Sequence, residues 1–284
     1  MEINKNVDEI MTKANTLIEA LPYIRRFNGA TIIVKYGGSA MLDDQLKMNV
    51  IKDVALLKLV GMRPIIVHGG GKEISKWVKL SGKEPEFYNG LRVTDKETMN
   101  IAEMVLNKVN KHLVQMMEKL GVRAAGISGK DGGTLRCDKK TANGKDIGYV
   151  GDVKEARGDM LARLIADGVV PVLAPLTHDG HGQLLNTNAD TIAGEAAKAL
   201  ASYFDVTLVY CFEKKGVLSD ENDDESVIPQ IDKSSFERLV TGGIVQGGMI
   251  PKLENAFSAI SAGVKEVVIT RADTLSTGGT RIIG

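Results

Sequence analysis

The sequence predicts an α/β fold: a three-layer αβα sandwich with a mainly parallel central sheet. Three observations predict it. Apolar, strand-length runs such as Ala30–Lys35, Arg63–Val67 and Val169–Ala174 alternate with amphipathic, helix-length stretches, which is the pattern of a parallel sheet covered on both faces. Almost every glycine-rich segment falls just after such a run, at the carboxyl end of a strand, where ligands of these sheets collect. The 284 residues, 43% hydrophobic and 25% charged, suffice for a sizeable core.

The elements follow in order. Val7, Ile10, Met11, Ala14, Leu17, Ile18 and Leu21 recur at three- and four-residue steps, one apolar stripe on a helix expected to end near Pro22. The stripe packs either on its own domain or on another subunit. Strands are expected at 30–35, 63–67, 122–127, 169–174, 206–211 and 266–270, and helices at 45–60, 72–80, 96–120, 159–167, 189–201, 234–241 and 251–262. Asn89-Gly90 marks a hairpin within Phe87–Val93, and the glycine-rich stretch from Gly129 to Asp152 suggests further hairpins. Gly216–Glu225 is an acidic loop. The best lobe boundary lies near Ala199–Asp205, with no Pro/Ser-rich linker to mark it, so the two lobes are expected to share one sheet.

Composition narrows the function. Lys plus Arg equals Asp plus Glu at 36 each, which leaves no broad basic field for nucleic acid and no polybasic membrane patch. Any anion must be bound locally. Cys137 and Cys211 follow no metal-ligand spacing, and a reducing compartment is the simple reading. Met1–Glu9 lacks the basic start and apolar run of a signal peptide, and the most continuous apolar stretch, Val169–Leu176, holds Pro171 and Pro175 and is too short to span a bilayer. A soluble, cytoplasmic protein is expected.

Five segments carry the chemistry. In Ile32–Ser39 a strand delivers Lys35 and then Gly37 and Gly38, whose amides approach an anion unhindered by a Cβ; alone, this is equally a strand ending in a turn. In Ile65–Lys72, His68 is followed by three glycines, Gly69 to Gly71, at a helix start, where free N–H groups and the positive dipole end favour an anion. Neither the Walker A nor the dinucleotide spacing is present, and three glycines exceed what a tight turn needs. In Asn89–Asp95, Arg92 is placed to fork onto a carboxylate, although a lone arginine is more often a surface residue. Asn186, Asn188 and Asp190 lie within five residues at another helix start, where capping needs only one of them. Gly247–Lys252 opens a helix with Lys252 in its first turn, a placement that opposes the dipole and hints at a phosphate. His178 and His181 have no third ligand spaced around them, so they read as a solvated turn and no metal site is expected. Lys130 in Gly129–Gly133 is a candidate to fold over the site.

With these segments in chain order the sequence resembles the acetylglutamate kinases of the amino acid kinase family, from about Thr31 to the C-terminus. Lysine followed by two glycines alone would also suit relatives acting on other substrates. His68–Gly71, Asn89–Thr94, Asn186–Asp190 and Gly248–Lys252 in combination are far more specific. The resemblance implies an N-terminal arm at 1–28, an acyl-amino-acid lobe at 29–200 and a nucleotide lobe at 201–284. It implies that Gly70, Gly71, Arg92 and Asn186 hold the acyl amino acid, with Asn188 nearby. Lys35, Gly37 and Gly38 would meet the transferring phosphate, Lys252 would reach it from the other lobe, and Asp190 would orient both lysines. The nucleotide would lie against 213–218 and 244–249, including Glu213, Lys214, Gly216, Ile244, Gly248 and Met249. ATP with Mg²⁺ and N-acetyl-L-glutamate are the implied ligands, in arginine biosynthesis, within a homo-oligomer, a dimer or a hexamer through the N-terminal helix.

The sequence departs from the family pattern at Phe212–Gly216, where relatives usually carry an Asp-containing segment; Glu213 keeps a carboxylate there. A γ-carboxylate nucleophile, with a reference pKa of ~4.3, is already ionised near neutrality. No general base is required, which fits the lack of an evident catalytic histidine. A non-catalytic, kinase-like sensor is the competing reading, and a kinase of another small carboxylate the nearer one.

Overall fold

The structure is a computed structural model that describes residues 2–37, 41, 43–247, 249–272 and 278–284. The first helix, α1 (Glu2–Phe27), runs five residues beyond Pro22. The expected stop is not one, because a proline forfeits a single N–H while its fixed φ remains helical.

Strand β1 (Thr31–Tyr36) is buried throughout, as a central strand of an α/β sheet must be. Helix α2 (Asp44–Leu59) starts on Asp43, whose side chain accepts from the amides of Gln45 and Leu46. Strand β2 (Arg63–His68) leads through the glycines into α3 (Gly71–Leu80). The hairpin β3 (Phe87–Tyr88) and β4 (Leu91–Arg92) turns on Asn89 and Gly90, both at positive φ, 48° and 75°, as the tight hairpin turn of an Asn-Gly pair requires. Asp95 caps α4 (Lys96–Lys119). Then come β5 (Ala124–Ser128), the long hairpin β6 (Leu135–Ala142) and β7 (Lys145–Ala156), α5 (Asp159–Ala166) and β8 (Val170–Ala174). Two strands of three residues, β9 (Leu176–His178) and β10 (Leu184–Asn186), precede α6 (Ala189–Leu200) and β11 (Val206–Phe212). The chain finishes with β12 (Gln230–Ile231), α7 (Lys233–Thr241), α8 (Met249–Ser261), β13 (Glu266–Arg271) and β14 (Thr280–Ile282). Helix α8 begins at Met249, two residues before the proline expected to open it.

Eight strands form one sheet in the order β12-β14-β13-β11-β1-β2-β8-β5. It is parallel from β13 to β5, and β14 runs antiparallel to β13. Because β1 pairs with β11 on one side and β2 on the other, the sheet continues across residue 200, and the two halves of the chain share it as expected. Side chains alternate between its faces. Ile33, Val67, Leu208 and Ile269 join the core under α5, α6 and α8, whereas Val34, Ile66, Val172 and Val209 join the core under α2 and α4. Three layers result.

A second unit sits at one end of the sheet: β10, β7, β6 and β9 close into a small barrel. A buried apolar cluster on its long hairpin, Ala142, Ile147 and Val150, carries Tyr88, Leu91 and Val93 of the short hairpin. The hairpin is further tied to β7 by Thr94 N–H donating to Ile147 O and Tyr149 N–H donating to Thr94 O, at 2.9 and 2.7 Å.

Asn110 of α4 holds three sheet strands to its helix. Its Nδ2 donates to His68 Nε2 at 3.1 Å, to Val172 O at 2.8 Å and more distantly to Ile127 O at 3.4 Å. The close approach requires Gly126, since a Cβ there would stand 2.0 Å from Asn110 Oδ1. Replacing Asn110 by leucine strands two buried acceptors, each costing about 1–3 kcal/mol. The Asn110→Leu protein is therefore expected to unfold in urea with roughly 2–4 kcal/mol less stability than the parent; a loss under 0.5 kcal/mol would contradict this packing account.

Candidate active site

Strands β1, β2 and β11 lie side by side, so Lys35, the His68–Gly71 turn and Phe212 emerge together at their carboxyl ends. Lys35 shares the sheet face of Ile33 and points toward the start of α6. There its amine meets Asp190 Oδ1 at 2.8 Å, with the lysine only 8% exposed. The contact is ionic, outside aligned hydrogen-bond geometry. Asn188 caps α6, its Oδ1 accepting from the amides of Asp190 and Thr191, and this cap fixes where Asp190 leaves the helix.

Two cavities open on either side of this ion pair. The larger, about 510 Å³, is lined by Gly70, Gly71, Arg92, Asn186 and Asn188, with Ile74, Leu106, Val150 and Pro175 as apolar walls. The smaller, about 370 Å³, is lined by Phe212, Glu213, Lys214, Gly216, Met249 and Lys252. Lys35, Gly37 and Asp190 line both. The glycines suit close backbone approach: Gly69 N–H donates to Tyr36 O at 2.8 Å, and a Cβ on Gly37 would stand 3.1 Å from the Lys35 amine.

Arg92 is buried. Its Nη2 donates to Gly71 O at 2.7 Å and to Ser75 Oγ at 2.8 Å, and its guanidinium lies 4.7 Å over the Phe87 ring. Nη1 has no partner among the described residues, which leaves a buried donor at the wall of the larger cavity. Asn186 Nδ2 donates to Thr94 Oγ1 at 3.2 Å. Lys252 reaches the junction from α8, its amine 3.8 Å from the centre of the Phe212 ring. Burial holds its pKa below the ordinary lysine value, Lys35 pushes it further down, and Asp190 and Glu213 oppose both. Asp190 thus pairs directly with Lys35 and acts on Lys252 only at longer range.

Across the mouth, Lys72 approaches Glu213 at 3.9 Å, both well exposed. Lys214 pairs with Asp224, and Lys215 with Glu225, so the acidic loop folds back on its own lysines. Gly216 is required by packing as well, since a Cβ would meet Thr280 Oγ1 at 2.7 Å. Ile244 is 41% exposed and lines neither cavity. Gly38 and Gly248 lie outside the described residues. Lys130 does not fold over the site; it pairs with Glu103 of α4 at 3.1 Å. Among the described residues no group of three or more His, Cys, Asp or Glu is arranged to hold a metal. Sequence reasoning assigned nothing to Phe87, the apolar walls or Phe212 individually, because isolated apolar residues at strand ends look like core.

An α/β fold with paired cavities on either side of a lysine–aspartate ion pair, and a second lysine arriving from α8, is the architecture of a small-molecule kinase. The chain belongs to the amino acid kinase family, whose model matches residues 30–271. It is 52% identical over 253 residues to the acetylglutamate kinase of Parabacteroides distasonis, covering 88% of this chain and 98% of that one. It is 47% identical over 263 residues to the acetylglutamate kinase of Thermoanaerobacter pseudethanolicus, covering 92% and 86%. Among solved structures, N-acetylglutamate synthase from Neisseria gonorrhoeae, complexed with coenzyme A and N-acetyl-glutamate, is similar at a TM-score of 0.82 and 21% identity, covering 95% of this chain and 63% of that one. Carbamate kinase from Giardia lamblia bound to AMP-PNP is similar at 0.63 and 17%, covering 90% and 98%. At such identities these two share the fold.

His68 anchors the glycine turn from beneath. Its Nδ1–H donates to Gly69 O at 2.8 Å while Nε2 accepts from Asn110, so the ring is neutral. Burial lowers its pKa from 6.5 to about 4, the Gly69 bond pulling weakly upward. The unfolded chain therefore binds this proton near pH 6.5 and the native protein only near 4. The His68 contribution is intact above 6.5 and is lost as pH falls toward 4, about 3 kcal/mol in all. Urea melts between pH 7 and 4 are expected to show that steeper loss in the parent than in His68→Gln; equal slopes would contradict it.

Proposed function

We propose that the chain transfers the γ-phosphoryl group of ATP to the γ-carboxylate of N-acetyl-L-glutamate, forming an acyl phosphate in arginine biosynthesis. The observation that carries this reading is that Lys35, Gly37 and Asp190 line both cavities, so two ligands would meet at one ammonium. The names of the relatives at about half identity support the same substrate.

The larger cavity takes the acyl amino acid. Arg92, with its unpartnered Nη1, suits the α-carboxylate. The amides of Gly70 and Gly71 and the side chains of Asn186 and Asn188 supply neutral hydrogen bonds, and the apolar walls suit a methyl cap. The smaller cavity, with Glu213, Lys214, Gly216 and Met249, takes the nucleotide, and Ile244 and Gly248 belong to the same lobe. Residues 29–200 then form the acyl-amino-acid lobe and 201–284 the nucleotide lobe. Met11, Ile18 and Leu21 of α1 are exposed apolar residues, which supports residues 1–28 as an oligomerisation arm of a homodimer or hexamer. No described helix is long and apolar enough to cross a membrane. A cytoplasmic enzyme that uses neither membrane nor nucleic acid fits this and the balanced charge.

The carboxylate attacks the γ-phosphorus. One P–O bond forms as the bond to the bridging oxygen breaks, and that electron pair leaves on ADP. No proton moves, so no base is needed. The barrier is repulsion between anions and charge spreading over the transferring oxygens, and it is met by position and electrostatics. Lys35, held by Asp190, stands at the junction; Lys252 faces it from the other lobe. Among the described residues no cluster of acidic side chains is arranged to hold a metal, which suits Mg²⁺ arriving on the nucleotide's phosphates, where it would neutralise part of their charge.

With ATP, Mg²⁺, N-acetylglutamate and hydroxylamine, the parent is expected to yield the hydroxamate, and Lys35→Ala to lose about 10²–10³-fold in kcat. No product above that of Lys35→Ala would remove the proposal. Arg92→Lys, which loses the bidentate fork, is expected to raise KM for N-acetylglutamate about tenfold or more with a smaller change in kcat. An unchanged KM would take Arg92 out of the substrate site.

A further inference from the structure

We infer that Phe212 is a positioning residue for phosphoryl transfer: its ring face is the platform on which the Lys252 ammonium is held toward Lys35. The inference deepens the reading above and rests on it.

The geometry converges on one ring. Lys252 Nζ lies 3.8 Å from its centroid and Lys35 Nζ 5.1 Å. Lys35 has Asp190 as its ionic partner, at 2.8 Å. Lys252 has no hydrogen bond or ion pair among the described residues, so the ring is the contact that fixes its amine. The ring is itself anchored. Tyr210 and Phe212, two residues apart on β11, share a sheet face and stack at 5.7 Å with 9° between planes. Tyr210 then donates its hydroxyl to Asp190 O at 3.2 Å. One column therefore runs from the start of α6, which carries Asp190, through two aromatic rings to the lysine of α8.

A ring face suits this task better than a carboxylate. It attracts the ammonium through its quadrupole without neutralising the charge and offers no hydrogen bond that must break when phosphate arrives. It also offsets the repulsion of two ammonium groups brought to one junction, at the point where two like charges must coexist before the phosphoryl group arrives.

Cation–π contacts of this kind are worth about 3- to 30-fold in an equilibrium or rate. The test compares parent, Phe212→Leu, Phe212→Tyr, Lys252→Met and the Phe212→Leu/Lys252→Met double variant, with thermal melts to check folding. Phe212→Leu is expected to lower kcat about 3- to 30-fold with KM for N-acetylglutamate within about twofold. Phe212→Tyr should keep kcat within about twofold, and the leucine change should cost almost nothing further on the Lys252→Met background. Pentafluorophenylalanine at 212 reverses the quadrupole at nearly constant shape and should lose kcat as leucine does, so the test survives if Phe212→Leu fails to fold. In ¹³Cε-lysine spectra, the Lys252 protons should carry an upfield ring-current shift that Phe212→Leu abolishes. That spectrum needs no turnover: a shifted Lys252 in a protein inert toward N-acetylglutamate would overturn the assigned reaction and leave the platform standing. Full kcat in the leucine or fluorinated protein, equal losses in the leucine and tyrosine proteins, an undiminished loss without Lys252, or an unshifted Lys252 would each overturn the inference.

Discussion

The structure depends on one constraint: two lysine ammonium groups, from opposite ends of the chain, must be held near one point without a shared carboxylate between them. A single ion pair, Lys35 to Asp190 at 2.8 Å, neutralises one. The other rests on an aromatic ring. What remains is a junction of net positive character between two cavities, with Gly37 keeping side chains away from it. Holding an unpaired ammonium group beside the Lys35–Asp190 pair costs free energy in the resting protein. On the proposed reaction, the same cost would become transition-state stabilisation once phosphate charge spreads across the junction.

The rest of the fold serves that junction. Parallel pairing of β1 with β11 sets Lys35 beside Tyr210, and the period-two alternation of strands then puts Lys35 and Phe212 on the face covered by α6 and α8. The cap on Asn188 aims Asp190. On the opposite side, Asn110 and the buried, neutral His68 imidazole hold the glycine turn of β2 against the end of β1 without exposing a charge. The small barrel braces the Arg92 hairpin through Thr94 and Tyr149.

Much of this was legible in the sequence. The alternation of apolar runs with amphipathic helices gave the layered parallel sheet, because burial on both faces leaves few other readings of uninterrupted apolar strands. Lys35, Gly70, Arg92, Asn186, Asp190 and Lys252 stood out since each is a polar or glycine residue where packing alone would not place it. The short strands β9, β10, β12 and β14 were not legible, being two or three residues long and defined by partners distant in sequence. The run of α1 through Pro22 is not legible in the sequence, because one lost hydrogen bond is a small cost within a 26-residue helix. The capping of α6 by Asn188 and the resting contact of Lys252 on Phe212 depend on side-chain geometry that spacing does not encode. Phe212 looked like the end of an apolar strand, and its meaning lies in which cations it faces.

The most direct test of opposing amines at one phosphoryl group is a crystal structure with ADP, Mg²⁺, aluminium fluoride and N-acetylglutamate. The account predicts the fluoroaluminate at the junction of the two cavities, with Lys35 and Lys252 Nζ both within hydrogen-bonding distance of it and the substrate γ-carboxylate on its far side from ADP. Either amine turned away toward solvent in that closed complex would contradict it.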